Sequence, residues 1–239
     1  DYMISTSIDG VVDSPIVVGD EAIIKVTMDS SIDGIVKLTV GDSTYDVAVV
    51  NGVGTYTVPN LAKGTYDVKA VFAGDDKYAG STSAVKKLVV NMLPTTLSIE
   101  LDKTSIVVGD DAVVSIVLDP SITGVVTVKV NGKEYSVAVV DGEGSLTLSG
   151  LAKGTYKVNA TFAGDDKYIE SASKTLTLKV NMVPTELSIG LDKASIVVGD
   201  DAVVSIVLDP SINGIVTVNV SGKEYSVAVV DGEGSLTLS

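Results

Sequence analysis

The sequence predicts an all-β chain of tandem antiparallel β-sandwiches, and three observations lead there. Val17-Val18-Gly19-Asp20 returns as Val107-Val108-Gly109-Asp110 and again as Val197-Val198-Gly199-Asp200, a period of 90 residues. Windows 92–149 and 182–239 align without a gap and differ at 8 of 58 positions. Apolar residues alternate with polar ones in a period of two, as in Thr127-Val128-Lys129-Val130 and Thr175-Leu176-Thr177-Leu178-Lys179-Val180, and Val, Ile and Thr dominate these runs. Turn residues then interrupt the runs every 8 to 12 residues or so, the rhythm of a sandwich.

Taken in order through the second copy, strands fall near 96–101, 105–108, 111–118, 124–130, 133–140, 144–149, 154–163 and 173–180. Between them stand Val108-Gly109-Asp110, Asp119-Pro120-Ser121, Asn131-Gly132, Asp141-Gly142-Glu143-Gly144, Ala152-Lys153-Gly154 and Ala163-Gly164-Asp165-Asp166. Asn131-Gly132 between two alternating runs is a hairpin signal, because both turn positions need positive φ. Leu151-Ala152-Lys153-Gly154-Thr155-Tyr156 has the spacing of a tyrosine corner, and Leu61-Ala62-Lys63-Gly64-Thr65-Tyr66 repeats it. In that motif the hydroxyl of Tyr156 or Tyr66 bonds back to upstream backbone, which makes the expected sandwich immunoglobulin-like. Val158 stands where an antibody domain carries its second cysteine.

Boundaries are expected at Asn91-Met92-Leu93-Pro94 and Asn181-Met182-Val183-Pro184, giving repeats at 1–91, 92–181 and 182–239. The joints are short and proline restricts itself and its neighbour, so the sandwiches are expected to line up as an extended rod. The third repeat ends at Ser239, the match of Ser149, without counterparts of the strands near 154–163 and 173–180. Three accounts fit: a piece of a longer protein, strands donated by another molecule, or a disordered fragment. The first repeat departs most from the others, with Asp29-Ser30-Ser31 for Asp119-Pro120-Ser121 and Gly41-Asp42 for Asn131-Gly132.

Phe162-Ala163-Gly164-Asp165-Asp166-Lys167-Tyr168, with its copy at 72–78, resembles the Y/F-x-GD-x-x-Y signature of bacterial Ig-like surface repeats. Together with Ile106-Val107-Val108-Gly109-Asp110, Val130-Asn131-Gly132-Lys133-Glu134-Tyr135 and the 151–156 corner, the set looks most like the adhesin-like proteins of methanogenic archaea. The resemblance covers two repeats and the third as far as it runs. It implies a large secreted protein of many such domains on a cell wall, with adhesion residing in a different terminal region.

Composition narrows the chemistry. With no cysteine, no disulfide framework or thiolate zinc site can form, and with no histidine the usual general base near neutrality is gone. All 17 basic residues are lysines and the formal charge is −14, which opposes nucleic acid and anionic membrane surfaces. No apolar run approaches a membrane span. The chain opens at Asp1 without a signal peptide and closes at Ser239 without an anchor, so a secreted form is expected to be the mature piece of something longer.

Nucleophilic catalysis is left with serine–lysine pairs, and no spacing argues for one; no catalytic residue is assigned. Calcium is the candidate cation: Asp110-Asp111 and Asp165-Asp166 are adjacent acids in turns, and hard cations want several oxygens. The same acids suit turns that bond their own backbone, and no defined calcium motif is present, so no metal site is committed. Asn181 and Lys103 raise an isopeptide crosslink, which Asp13 at the matching place in the first repeat precludes there. Asn159-Ala160-Thr161 and Asn219-Val220-Ser221 match the glycosylation acceptor pattern. Tyr135 and Tyr225 offer aromatic faces to a glycan, but without tryptophan or an aromatic cluster.

Tandem arrays serve stalks, adhesins and fibres more often than catalysis. The leading expectation is therefore a non-enzymatic stalk or spacer of an extracellular, cell-surface adhesin-like protein, with neighbouring repeats as partners. The alternatives are a filament subunit completed by strand donation into a homopolymer, and a glycan- or calcium-binding module.

Overall fold

The structure, a computed structural model, describes residues 8–28 and 31–239. Asp29 and Ser30, part of the first repeat's divergent turn, lie outside the described residues. Among the described residues every regular element is a strand. The first repeat holds β1 (Ile8–Val12), β2 (Ile16–Val17), β3 (Ala22–Met28), β4 (Gly34–Val40), β5 (Ser43–Val49), β6 (Val53–Val58), β7 (Gly64–Gly74), β8 (Ala79–Thr82) and β9 (Lys86–Asn91). The second holds β10 (Thr96–Leu101), β11 (Ser105–Val107), β12 (Ala112–Asp119), β13 (Gly124–Val130), β14 (Lys133–Val139), β15 (Glu143–Leu148), β16 (Gly154–Phe162), β17 (Ser171–Ala172) and β18 (Leu176–Asn181). The third holds β19 (Glu186–Leu191), β20 (Ala202–Asp209), β21 (Gly214–Val220), β22 (Lys223–Val229) and β23 (Glu233–Leu238).

In the first repeat a β1-β3-β6 sheet is accompanied by a β2-β9-β7-β4-β5 sheet with β8 on β7. The second repeats this as β10-β12-β15 and β11-β18-β16-β13-β14, with β17 on β16. β2 runs parallel to β9, with Ile16 opposite Val90, whereas β7 meets β4 and β9 antiparallel. Each sheet stays within one repeat among the described residues. By compactness the chain forms two units. The first runs up to Ile106 and adds Asp111–Gly150 and Thr155–Lys179; the second comprises Val107–Asp110, Leu151–Gly154 and Val180–Ser239.

The period of two sends one face of each strand inward. Val126, Val128 and Val130 are buried on β13, and Val158, Ala160 and Phe162 on β16. In the first repeat Ile24, Val36, Leu38 and Leu88 do the same within one core cluster. Each fully buried aliphatic side chain contributes about 1.5–3 kcal/mol by leaving water, which lets a sandwich of this size hold without a disulfide. Outward positions such as Ile23, Val117 and Val125 remain β-branched, which suits the pleated backbone rather than the core.

In the third repeat the described sheets are β19-β20-β23 and β21-β22, around Val204, Ile206, Val216, Val218, Val227 and Val229. The sequence leads one to expect a repeat short of two main strands, and the structure is short of a third. Ile196-Val197-Val198, which matches the β11 region, forms no strand. The reason is pairing: β11 borders β18, and Val108 N donates to Asn181 O at 2.9 Å, as Val18 N does to Asn91 O at 2.8 Å. These 239 residues hold no counterpart of β18 for the third repeat, so its β11 equivalent has nothing to pair with.

Asn131 and Gly132 have φ of 48° and 86°, the left-handed pair of a tight hairpin. Asp141 and Gly142 have φ of 50° and 83°, yet this turn joins strands of different sheets, β14 and β15. The difference lies in what Gly142 touches. Its carbonyl accepts Leu118 N at 2.8 Å and its N–H donates to Ile122 O at 3.0 Å. A Cβ there would stand 2.6 Å from Leu118 O, and one at Gly144 would stand 2.9 Å from Ala138 O. The two glycines let the turn lie against neighbouring backbone as the chain changes sheet. Gly142→Ala is expected to destabilise the second repeat by about 2–3 kcal/mol, since steric contact adds to an unfavourable φ. Gly132→Ala, with open space around it, is expected to cost about 1 kcal/mol. Denaturant unfolding of both variants checks the order.

Candidate functional site

The loop between β16 and β17, residues 163–170, contains the sequence signature and ends up against the entry of its own repeat. Asp165 organises it. Its Oδ1 accepts Lys167 N at 2.8 Å and Tyr168 N at 2.7 Å, and Asp165 N donates to Tyr168 O at 2.9 Å. Aspartate at the head of a turn favours this local bonding. Gly164, with φ of 77°, allows the closing backbone to approach: a Cβ would stand 2.7 Å from Tyr168 O.

The closed loop presents main-chain groups to residues 93–95. Leu93 N donates to Lys167 O and Ile169 N donates to Leu93 O, both at 2.8 Å. Thr95 Oγ1 donates to Ile169 O at 2.7 Å and lies 2.7 Å from Ser171 Oγ. Pro94 between them fixes its own φ. The joint segment is thus hydrogen-bonded to the domain it enters. Asp75 makes the same loop in the first repeat, accepting Lys77 N and Tyr78 N at 2.7 Å each. The residues matching 93–95 there are 3–5, outside the described residues.

Beside the clamp, Ser173 fills a place left by β17. Its Oγ accepts Ala160 N at 2.9 Å and donates to Lys174 O at 2.9 Å, while Ser173 N donates to Ala160 O. Ser83 repeats these bonds with Ala70 and Ala84 and is itself buried. The sequence marks Ser173 only by its place after the signature; the unpaired backbone of Ala160 that it serves appears only with the fold.

Tyr66 opens β7, and its hydroxyl donates to Ala62 O at 2.8 Å; Tyr156 holds the equivalent place in β16. Asp110 Oδ2 faces Val107 N at 3.4 Å, and Asp20 Oδ2 accepts Val17 N at 3.1 Å, so both acids close their own turns. Asp111 lends its carbonyl to Lys103 Nζ at 3.1 Å, which leaves that lysine exposed rather than in a buried crosslinking position. Asp166 is exposed beside Asp165. Among the described residues no three acids converge on a point that would hold a cation.

Asn159 faces outward on β16 and is half-buried; Asn219 is exposed on β21, with Oδ1 accepting Gly222 N at 2.9 Å. Tyr135 and Tyr225 each lie under a lysine, Lys133 and Lys223, at 4.9 Å from the ring centre. Those ring faces are already engaged, which weakens them as a glycan platform. A shallow groove of about 550 Å³ is lined by Lys63, Thr65, Val89, Asn91, Met92 and Ile169, and Lys63 is its one titratable group.

Asp165→Ala leaves two N–H groups without their acceptor and is expected to cost about 1 kcal/mol. Local opening at Leu93 and Ile169 should rise roughly fivefold, read as faster amide hydrogen exchange at these two residues. Asp166→Ala is expected to leave both rates unchanged.

Chains from solved structures that align with this one include the fibronectin(III)-like modules of Clostridium thermocellum CbhA, at 17% identity over 72% of this chain and 93% of that one, TM-score 0.32. The I9–I11 tandem of titin aligns at 11% identity over 96% and 89%, TM-score 0.32. Latent PorU from Porphyromonas gingivalis aligns at 12% identity over 98% of this chain and 30% of that one, TM-score 0.29. No curated protein matches the sequence. The bacterial Ig-like domain (group 3) family matches residues 11–91 and 99–181, over half the chain and across both full repeats. Sandwich topology, repeat period and family match agree, and the chain belongs to the bacterial Ig-like domain (group 3) family.

Proposed function

We propose that the chain is a non-enzymatic spacer, a run of Ig-like repeats in the stalk of an adhesin-like protein on the outside of a cell. The clamp at 93–95 carries this reading. A spacer must pass force or distance from one domain to the next, and a joint hydrogen-bonded into its domain does so better than a free linker. The strongly acidic, cysteine-free and histidine-free composition fits an extracellular support that needs no redox chemistry. The similarity to adhesin-like proteins of methanogenic archaea belongs to the same reading and rests on the 106–110, 130–135, 151–156 and 162–168 motifs. No helix among the described residues is long and apolar enough to cross a membrane.

Pulling the full chain in a single-molecule force experiment is expected to give discrete steps, the two full repeats each releasing about 300 Å of chain. Smooth extension without steps would remove the spacer reading. Calcium at saturating concentration is expected to leave Tm at the value of an ionic-strength control, because Asp110 and Asp165 already bond their own backbone. A rise well beyond that control would instead favour a calcium-stabilised module.

A further inference from the structure

We propose that Tyr45 and Tyr56 form a site of oxidative modification, at which a one-electron oxidant joins the two rings as dityrosine and so ties together the two sheets of the first repeat. This goes beyond the spacer reading and stands on different observations. The rings are stacked, with centroids 4.6 Å apart and planes 29° from parallel. Tyr45 lies on β5 and Tyr56 on β6, strands that belong to different sheets. Both side chains pack against the core of the first repeat and are half-buried, so each ring is held in place with part of it open to solvent.

The second repeat is built differently at the same place. Tyr45 matches Tyr135, but Tyr56 matches Leu146: Ile24 stands opposite Tyr56 in the first repeat and Val114 opposite Leu146 in the second. Ser43 also stands where the second repeat has Lys133, whose ammonium covers the Tyr135 ring at 4.9 Å. The first repeat thus takes the cation off one ring and lays a second phenol on it. Packing alone does not call for that phenol, since leucine serves in the second repeat. The location gives the pair a use. β5 and β6 leave a turn at which Val50 and Val53 bond each other's backbone, and from there they diverge into separate sheets. A bond between the rings closes this side of the sandwich, in a chain with no cysteine to do so by a disulfide.

Each phenol gives one electron to the oxidant and its hydroxyl proton to water, leaving a phenoxyl radical whose spin extends to the ortho carbons. One carbon–carbon bond then forms between an ortho carbon of each ring. The two ortho hydrogens pass through solvent to the phenolic oxygens, and both rings regain aromaticity. The net change is the loss of two electrons and two protons. The co-reactant is a high-valent metal centre that is reduced by one electron on each of two occasions. A centroid separation of 4.6 Å is close to that of two directly bonded rings, so coupling asks the rings to tilt rather than the strands to move. Holding the two radicals as neighbours favours coupling within one chain over coupling between chains.

The test oxidises the intact 239-residue protein, at high dilution, with illuminated ruthenium tris-bipyridine and persulfate, and isolates the monomer. The monomer is expected to show dityrosine fluorescence and a mass lower by two hydrogen atoms. Cleavage on the N-terminal side of aspartates is expected to leave residues 42–45 and 46–66 joined as one product. Tyr45→Phe and Tyr56→Phe keep the rings and the fold, and each should lower the monomer's dityrosine at least roughly tenfold by removing the neighbouring phenol. Tyr135→Phe is expected to leave the yield unchanged. Under force, the first repeat of the oxidised protein should release roughly 30 Å less chain, because the segment between the rings stays closed. No dityrosine in the monomer while free tyrosine couples alongside would overturn the proposal. So would an undiminished yield in either Tyr45→Phe or Tyr56→Phe, or a loss in Tyr135→Phe as large as theirs. None of these results bears on stepwise unfolding of the unoxidised chain, so the spacer reading stands or falls separately.

Discussion

Each full repeat is closed by the strand that follows its tyrosine corner. In the second repeat β16 lies in the middle of its sheet, between β13 and β18, and buries Val158, Ala160 and Phe162. It leads into the loop whose backbone holds Leu93. The third repeat, nearly identical in sequence over its first 58 residues, displays what depends on that strand pair. Without a counterpart, the inward residues of β19 face solvent and Ile196-Val197-Val198 forms no strand. The inner residues of β20, β21 and β22 keep a smaller core, with Ile206 and Val229 still buried. Sheet pairing and apolar burial therefore fail together at the same edge, as expected when one strand serves both.

The turns solve a different problem, the unmet hydrogen-bonding capacity of backbone leaving a sheet. The chain meets it in part with short polar side chains. Asp33, Thr123 and Asn213 occupy the same place in the three repeats, and each accepts the N–H of the first residue of the turn after β5, β14 or β22. The residue type varies while the acceptor oxygen stays. Asp102 and Asp192 likewise accept Val113 N and Val203 N at 2.7 Å. Several of the acids behind the −14 charge thus bond nearby backbone, which gives part of the acidity a structural role.

This economy suits a member of the bacterial Ig-like domain (group 3) family. Aliphatic cores, local acid-backbone bonds and a clamped joint together hold the second repeat's geometry without a cysteine in the chain. The spacer reading draws on that self-sufficiency.

Much of the architecture was legible because it is local. Alternation in 127–130 and 175–180 falls on β13 and β18, Asn131-Gly132 marks a positive-φ hairpin turn, and Asp141-Gly142 marks a turn. Less legible were features created by residues distant in the chain. Two-residue β17 has too few positions to show a period. The carboxylate of Asp165 reads equally as a cation ligand or a turn former until its neighbours are placed, and the bonds from its loop to Leu93 span more than 70 residues. Ser173 serves an amide at Ala160 that no local pattern exposes as unpaired. Leu97 and Leu187 make the division plain. Periodicity assigns both to the inward face, because that depends on the pleat of their own strands. Only tertiary structure decides that one is buried and the other in water, because burial depends on whether a second pair of strands lies across them.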